Sequence, residues 1–155
     1  MRNSCIVLAD KHQNILESLR GLLETIFGSV VMVADQPSLI EALNKIKPEL
    51  AIMDWSLLGN GDFNTACELN KRFPDVKIIV LSEYGEPSVA NDIITAGIMG
   101  FVLKHYAGTD LFDAIKNVQE GRTYISPAIQ VSSVNYNFPQ RQLFLPFRCH
   151  ISAMN

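Results

Sequence analysis

The chain has 155 residues, 48% of them hydrophobic and 19% charged, with a formal charge of −3 and a pI near 5.5. That apolar share supports one domain with a real core and excludes a disordered chain. The acidic balance speaks against a nucleic-acid surface, no apolar run is long enough to cross a bilayer, and no cleavable signal opens the chain.

The first strand signal is the apolar run 5–9, which ends at Asp10. Ile15, Leu16, Leu19, Leu22, Leu23 and Ile26 then recur at helical spacing, and Gly28 can end that helix. Residues 29–34 read as a second strand. Pro37 opens a second helix with Leu39, Ile40, Leu43 and Ile46 inward, and Lys47-Pro48 stops it. A third strand runs into Asp54. Residues 62–73 read as a third helix facing inward through Phe63, Ala66 and Leu69, with Pro74 after it. The run 76–81 ends at Ser82, and Pro87 starts a fourth helix with Val89, Ile93 and Ile94 inward. The run 100–103 ends at Lys104. Thr109 caps a fifth helix carrying Leu111, Phe112, Ile115 and Val118, and Gly121 ends it.

This alternation predicts an α/β fold, a flavodoxin-like (βα)5 doubly wound parallel sheet in the order 2-1-3-4-5. The carboxyl ends of such strands line one crevice, so Asp10, Asp54, Ser82 and Lys104 are delivered to one place, with Asp10 and Asp54 at the switch point. Two carboxylates, a hydroxyl and an ammonium suit an Asp that accepts a phosphoryl group. His12, His105 and His150 lack metal-ligand spacing and read as surface or cap residues, and Trp55 reads as local packing. Cys5, Cys67 and Cys149 fit reduced thiols in the cytoplasm. The pattern breaks after Pro127. Residues 128–155 hold no Asp, Glu or Lys, and Pro139 and Pro146 interrupt them. The domain is therefore placed at 4–127. Residues 128–155 are read as an irregular, extended tail whose Leu143, Phe144, Leu145 and Phe147 pack on a surface, with no DNA-binding fold.

The segments Val7-Leu8-Ala9-Asp10-Lys11-His12, Ala51-Ile52-Met53-Asp54, Ile79-Val80-Leu81-Ser82 and 96–104, with the stretch from Leu111 through Gly121 to Ser126-Pro127, resemble the receiver domain of two-component response regulators, in particular receivers of LuxR-type transcription regulators. The resemblance implies a cytoplasmic phosphorelay protein and no enzyme. Asp54 would accept a phosphoryl group from a histidine kinase, and the domain would switch a dimer or partner surface to regulate transcription. It implies that Lys104 contacts the phosphoryl oxygens, that the Ser82 hydroxyl reports them and that Phe101 is the switch aromatic. Asp10, Asp54 and the backbone carbonyl of Ser56 would hold Mg²⁺. It further implies a homodimer. With no membrane segment and no helix-turn-helix visible, neither a membrane nor direct nucleic-acid binding by this chain is expected.

One departure stands out. The family carries two consecutive acids after its first strand, and here the pair is Asp10-Lys11. An ammonium cannot ligate Mg²⁺ and repels it, so metal binding is expected to be weakened. Lys11 either points to solvent or sits between Asp10 and Asp54 in the metal's place. Leu58 replaces a usual proline, Gly61-Asp62 reverses the usual order, and Glu83 adds a charge at the rim. The alternative function is a pseudo-receiver, an interaction module independent of phosphorylation. An enzyme on a similar fold comes last. A dehalogenase-like phosphatase needs a second Asp where Ser56 stands. A flavodoxin needs a hydroxyl- and glycine-rich loop where Asp10-Lys11-His12-Gln13 stands.

Overall fold

The structure is a computed structural model, in which residues 4–58 and 63–129 are described. Unbroken apolar runs form β1 (Cys5–Ala9), β2 (Ser29–Val33), β3 (Leu50–Asp54), β4 (Lys77–Ser82) and β5 (Gly100–Leu103), with β2 half-buried at the sheet edge and the others largely buried on both faces. A further strand, β6 (Tyr124–Ile125), joins the β5 edge and gives a parallel sheet of order β2-β1-β3-β4-β5-β6. The flavodoxin-like order expected from sequence is present, extended by one strand. β6 is too short to carry a period of its own. It exists through the Tyr124 N–H bond to the Met99 carbonyl (2.9 Å) and the Ser126 N–H bond to the Phe101 carbonyl (3.0 Å).

Five helices cover the sheet: α1 (Gln13–Leu23), α2 (Gln36–Ile46), α3 (Phe63–Arg72), α4 (Pro87–Thr95) and α5 (Ala107–Gln119). Alternate strand residues face opposite layers. Val7, Ala9, Ala51, Met53, Val80 and Phe101 pack against α2, α3 and α4, while Ile6, Leu8, Ile52, Leu81 and Val102 pack against α1 and α5. Asp35 caps α2 by accepting a 2.8 Å hydrogen bond from the Ser38 N–H, which holds its carboxyl below the usual value. Lys47 closes α2 in the left-handed region, φ 51°.

Several inward faces differ from expectation. Ile46, Val89 and Phe112 are exposed, and Ala42, Ala90 and Ala114 are buried in the stripes that meet the sheet. Small side chains allow a helix to approach the strands closely, and the large neighbours then fall on the flank. Thr109 does not cap α5. A single tight turn, Lys104–Tyr106, leads straight into the helix, whose N-cap is Tyr106, and the Thr109 hydroxyl donates to the Tyr106 carbonyl at 3.1 Å.

Residues 127–129 are helical, and Ile129 is only 2% exposed in the core. A tail beginning at 128 thus cuts into packed structure. The remainder of that tail, with Leu143, Phe144, Leu145 and Phe147, lies outside the described residues, as does Gly61-Asp62. Cys5 is free, and Cys149 lies outside the described residues. Among the described residues no helix is long and apolar enough to cross a membrane.

Candidate functional site

The strand register decides which side chains meet. Ala9 pairs with Met53, Asp54 with Leu81 and Ser82 with Leu103. The carboxyl ends of β1, β3, β4 and β5 are therefore level, and Asp10, Asp54, Ser82 and Lys104 leave the sheet side by side. All three polar groups at the first three ends are buried: Asp10 at 0%, Asp54 at 2% and Ser82 at 9% exposure.

Lys104 reaches back across the strand ends. Its Nζ donates to Asp54 Oδ2 at 3.0 Å and lies 2.9 Å from Asp10 Oδ2. The second contact is an ion pair whose angles do not make a hydrogen bond, so the buried Asp10 Oδ2 receives no hydrogen bond at all. Burial pushes the Asp54 carboxyl up. The hydrogen bond from Lys104, those from the Ser56 amide (3.0 Å) and hydroxyl (2.9 Å), and the ammonium charge outweigh it, and the group ends below its ordinary value. Burial alone would lower the Lys104 ammonium. Its contacts with Asp10 and Asp54 reverse this, and it ends above its ordinary value.

Lys11 is exposed. The cation between the two carboxylates is Lys104, which settles the two placements open for Lys11 in favour of solvent. Ser82 stands at the adjacent strand end, but its hydroxyl is engaged in its own loop, donating to the Tyr84 carbonyl at 2.8 Å and accepting from the Tyr84 N–H at 3.2 Å. Phe101 is fully buried one layer below. Trp55 packs in the core beside Asp54, as local packing requires.

His12 is the residue that sequence reasoning missed. Its backbone N–H and its ring Nδ1 both lie on Asp10 Oδ1, at 2.9 and 3.0 Å, and Nδ1 is 3.4 Å from Lys104 Nζ. Ligand atoms of Asp10, His12 and Asp54 all fall within 4.8 Å of one another. The available signal was the Asx turn, in which an Asp before a helix folds the residue two positions on against its own carboxylate. A cleft of about 350 Å³, lined by His12, Asn14, Ile15, Glu83, Lys104 and His105, opens beside the cluster. The arrangement offers buried carboxylate oxygens, one of them without a donor, an ammonium to meet developing negative charge, and room for a small anionic group.

A family model described as the response regulator receiver domain matches residues 6–116. The transcriptional regulatory protein RcsB of Salmonella typhi is 34% identical over 134 residues, covering 83% of this chain and 62% of that protein. The chain thus spans about three-fifths of the length of this curated relative. The isolated receiver domain of RcsB from Salmonella enterica serovar Typhimurium, solved in the presence of phosphomimetic BeF₃⁻, superposes with a TM-score of 0.71 at 29% identity, covering 83% of this chain and 96% of that one. A solved RcsB–DNA complex superposes at 0.72 with 32% identity, covering 83% of this chain and 66% of that one. This last structure corrects one expectation. The acidic balance speaks against a nucleic-acid partner, yet a relative carrying the same domain is solved on DNA. Net charge over a receiver does not report what the protein that contains it binds.

Proposed function

This chain belongs to the response regulator receiver family, with LuxR-type relatives, and we propose that it accepts a phosphoryl group on Asp54 from a histidine kinase. The observation that carries the reading is the Lys104 ammonium bound at 3.0 Å to Asp54 and 2.9 Å from Asp10 beside an open cleft. In the proposed step an Asp54 oxygen attacks the donor phosphorus. The O–P bond forms as the donor's P–N bond breaks, and the leaving imidazole keeps the electron pair and takes up a proton. Lys104 meets the charge on the phosphoryl oxygens. Ser82 then exchanges its Tyr84 contacts for the phosphoryl group, and Phe101 is the aromatic that responds. A receiver is in this reading a signalling partner in the cytoplasm and not an enzyme.

The donors fit a divalent cation, because Asp10 Oδ2 is buried without a hydrogen bond and Asp54 adds a second hard oxygen. Asp10, Asp54 and the Ser56 carbonyl would hold Mg²⁺, which when bound supplies positive charge opposite the phosphoryl oxygens. Lys11 next to Asp10 weakens that binding by replacing a carboxylate with a like charge. The same residue favours a second reading, a pseudo-receiver that uses the fold for interaction without phosphorylation.

Incubation with acetyl phosphate followed by intact-mass measurement tests the choice. One phosphoryl increment in the wild type, absent in Asp54→Asn, is expected. No increment under any metal condition would leave the pseudo-receiver.

A further inference from the structure

We propose that His12 is the nitrogen ligand of a divalent-cation site shared with Asp10 and Asp54, and that this site prefers manganese- or cobalt-class ions to Mg²⁺. The inference rests on reading Asp10 and Asp54 as a metal-holding pair. It goes beyond that reading by changing the ligand set and therefore the ion.

Four observations converge. Asp10 is fully buried, and its Oδ2 makes no hydrogen bond and meets only the Lys104 ammonium, at 2.9 Å, in an ion pair that a dication could replace. Lys11, at the position where a second acid would contribute, is exposed and adds no ligand. His12 fills the gap from the next position, with its ring nitrogen 3.0 Å from Asp10 Oδ1 and its backbone N–H tied to the same oxygen at 2.9 Å. Ligand atoms from all three residues lie within 4.8 Å of one another, a spread that one ion can span.

The donor set then decides the ion. Mg²⁺ takes hard oxygens and gives up its waters reluctantly. An imidazole nitrogen suits later divalent ions, whose affinities for mixed N and O ligands exceed that of Mg²⁺. Replacing a carboxylate by an imidazole also removes one negative charge from the set. That penalises the ion bound mainly by charge more than one that gains from nitrogen ligation. Lys104 Nζ lies against all three residues, 2.9 Å from Asp10 Oδ2, 3.0 Å from Asp54 Oδ2 and 3.4 Å from His12 Nδ1, so a cation entering the cluster displaces the ammonium from Asp10 and His12 while its hydrogen bond to Asp54 is kept.

The test uses the full chain without a phosphoryl donor. Mg²⁺ and Mn²⁺ are titrated against Trp55 fluorescence, and Co²⁺ is followed by its visible absorption, in wild type, His12→Ala, His12→Gln and His105→Ala. Wild type should bind Mn²⁺ more tightly than Mg²⁺ and give a Co²⁺ spectrum of nitrogen ligation. His12→Ala and His12→Gln should each weaken Mn²⁺ by roughly tenfold or more, leave Mg²⁺ unchanged and lose the Co²⁺ signature. His105→Ala should change nothing. Equal losses for both ions, or none, in the His12 variants would overturn the proposal. Loss of the signature in His105→Ala would do so too, because it would place the ion in the cleft. Acetyl phosphate labelling separates the two readings. Labelled Asp54 with His12-independent metal binding sinks only the ligand proposal. A His12-dependent spectrum with no labelling sinks only the phosphoacceptor reading.

Discussion

At the scale of single residues, the Asp10–Lys104–Asp54 cluster sets both chemistry and stability. Lys104→Ala removes the ammonium and leaves two buried carboxylates facing each other. It should cost about 2 kcal/mol at neutral pH, the size of a hydrogen bond to a charged group. The pH dependence has a definite sign. Asp54 sits below its ordinary 3.8 in the fold, so its contribution is present above that value and is lost as pH falls through the lower folded one. Lys104 sits above 10.5, so its share is present below that value and is lost only as pH rises through the higher folded one. Urea melts of wild type and Lys104→Ala should differ most near neutrality and converge in strong acid. A gap that stays constant down to the acid-unfolded state would refute this account.

Helix ends and turns make their own predictions at the scale of elements. Lys47 pays a left-handed φ of 51° to close α2. Lys47→Gly removes the Cβ strain and should stabilise by up to about 1 kcal/mol, with the gain in φ tolerance exceeding the added chain entropy. Gly97 shows the opposite case. Its φ is 115°, and a Cβ there would collide with the Asn70 side chain. Gly97→Ala should therefore destabilise by on the order of 2 kcal/mol, seen as a lower urea midpoint at unchanged slope. The helix faces were only partly legible in sequence. A period of 3.6 located each apolar stripe, but it set Val89 and Phe112 inward, where Ala90 and Ala114 are the buried residues. Which flank of a stripe meets the sheet depends on how closely the helix approaches, and that distance is a property of the packed layers.

Across the whole molecule, packing continues past the boundary at 127 that composition suggests. Ile129 is buried, and a Cβ on Gly85 would come within 2.8 Å of both Ile129 Cγ1 and Leu103 Cδ2, so these groups interlock. We propose on that contact that the packed unit includes Ile129. A chain ending at 129 should melt cooperatively. A chain ending at 127 should lose about 1.5–3 kcal/mol from the missing isoleucine while keeping the fold. Equal midpoints for the two truncations would show that Ile129 contributes nothing to the core.

The amino-acid sequence by itself determined the fold class, the order of the five principal strands and the fact that Asp10, Asp54, Ser82 and Lys104 stand at strand ends. These follow from periodicity and chain order, which are local, and from connection rules that leave few topologies. Tertiary structure alone decided how those ends are used. It placed Lys104 between the carboxylates and left Lys11 in solvent, because the reach of an ammonium depends on the register of strands far apart in the chain. It left the Ser82 hydroxyl engaged in its own loop, whereas the approach of His12 to Asp10 is a local Asx turn. It made the two-residue β6, held to the β5 edge by hydrogen bonds from the Tyr124 and Ser126 N–H groups to the Met99 and Phe101 carbonyls. The reach of Lys104 to both carboxylates at about 3 Å is set by nonlocal packing, and no pattern along the chain encodes it.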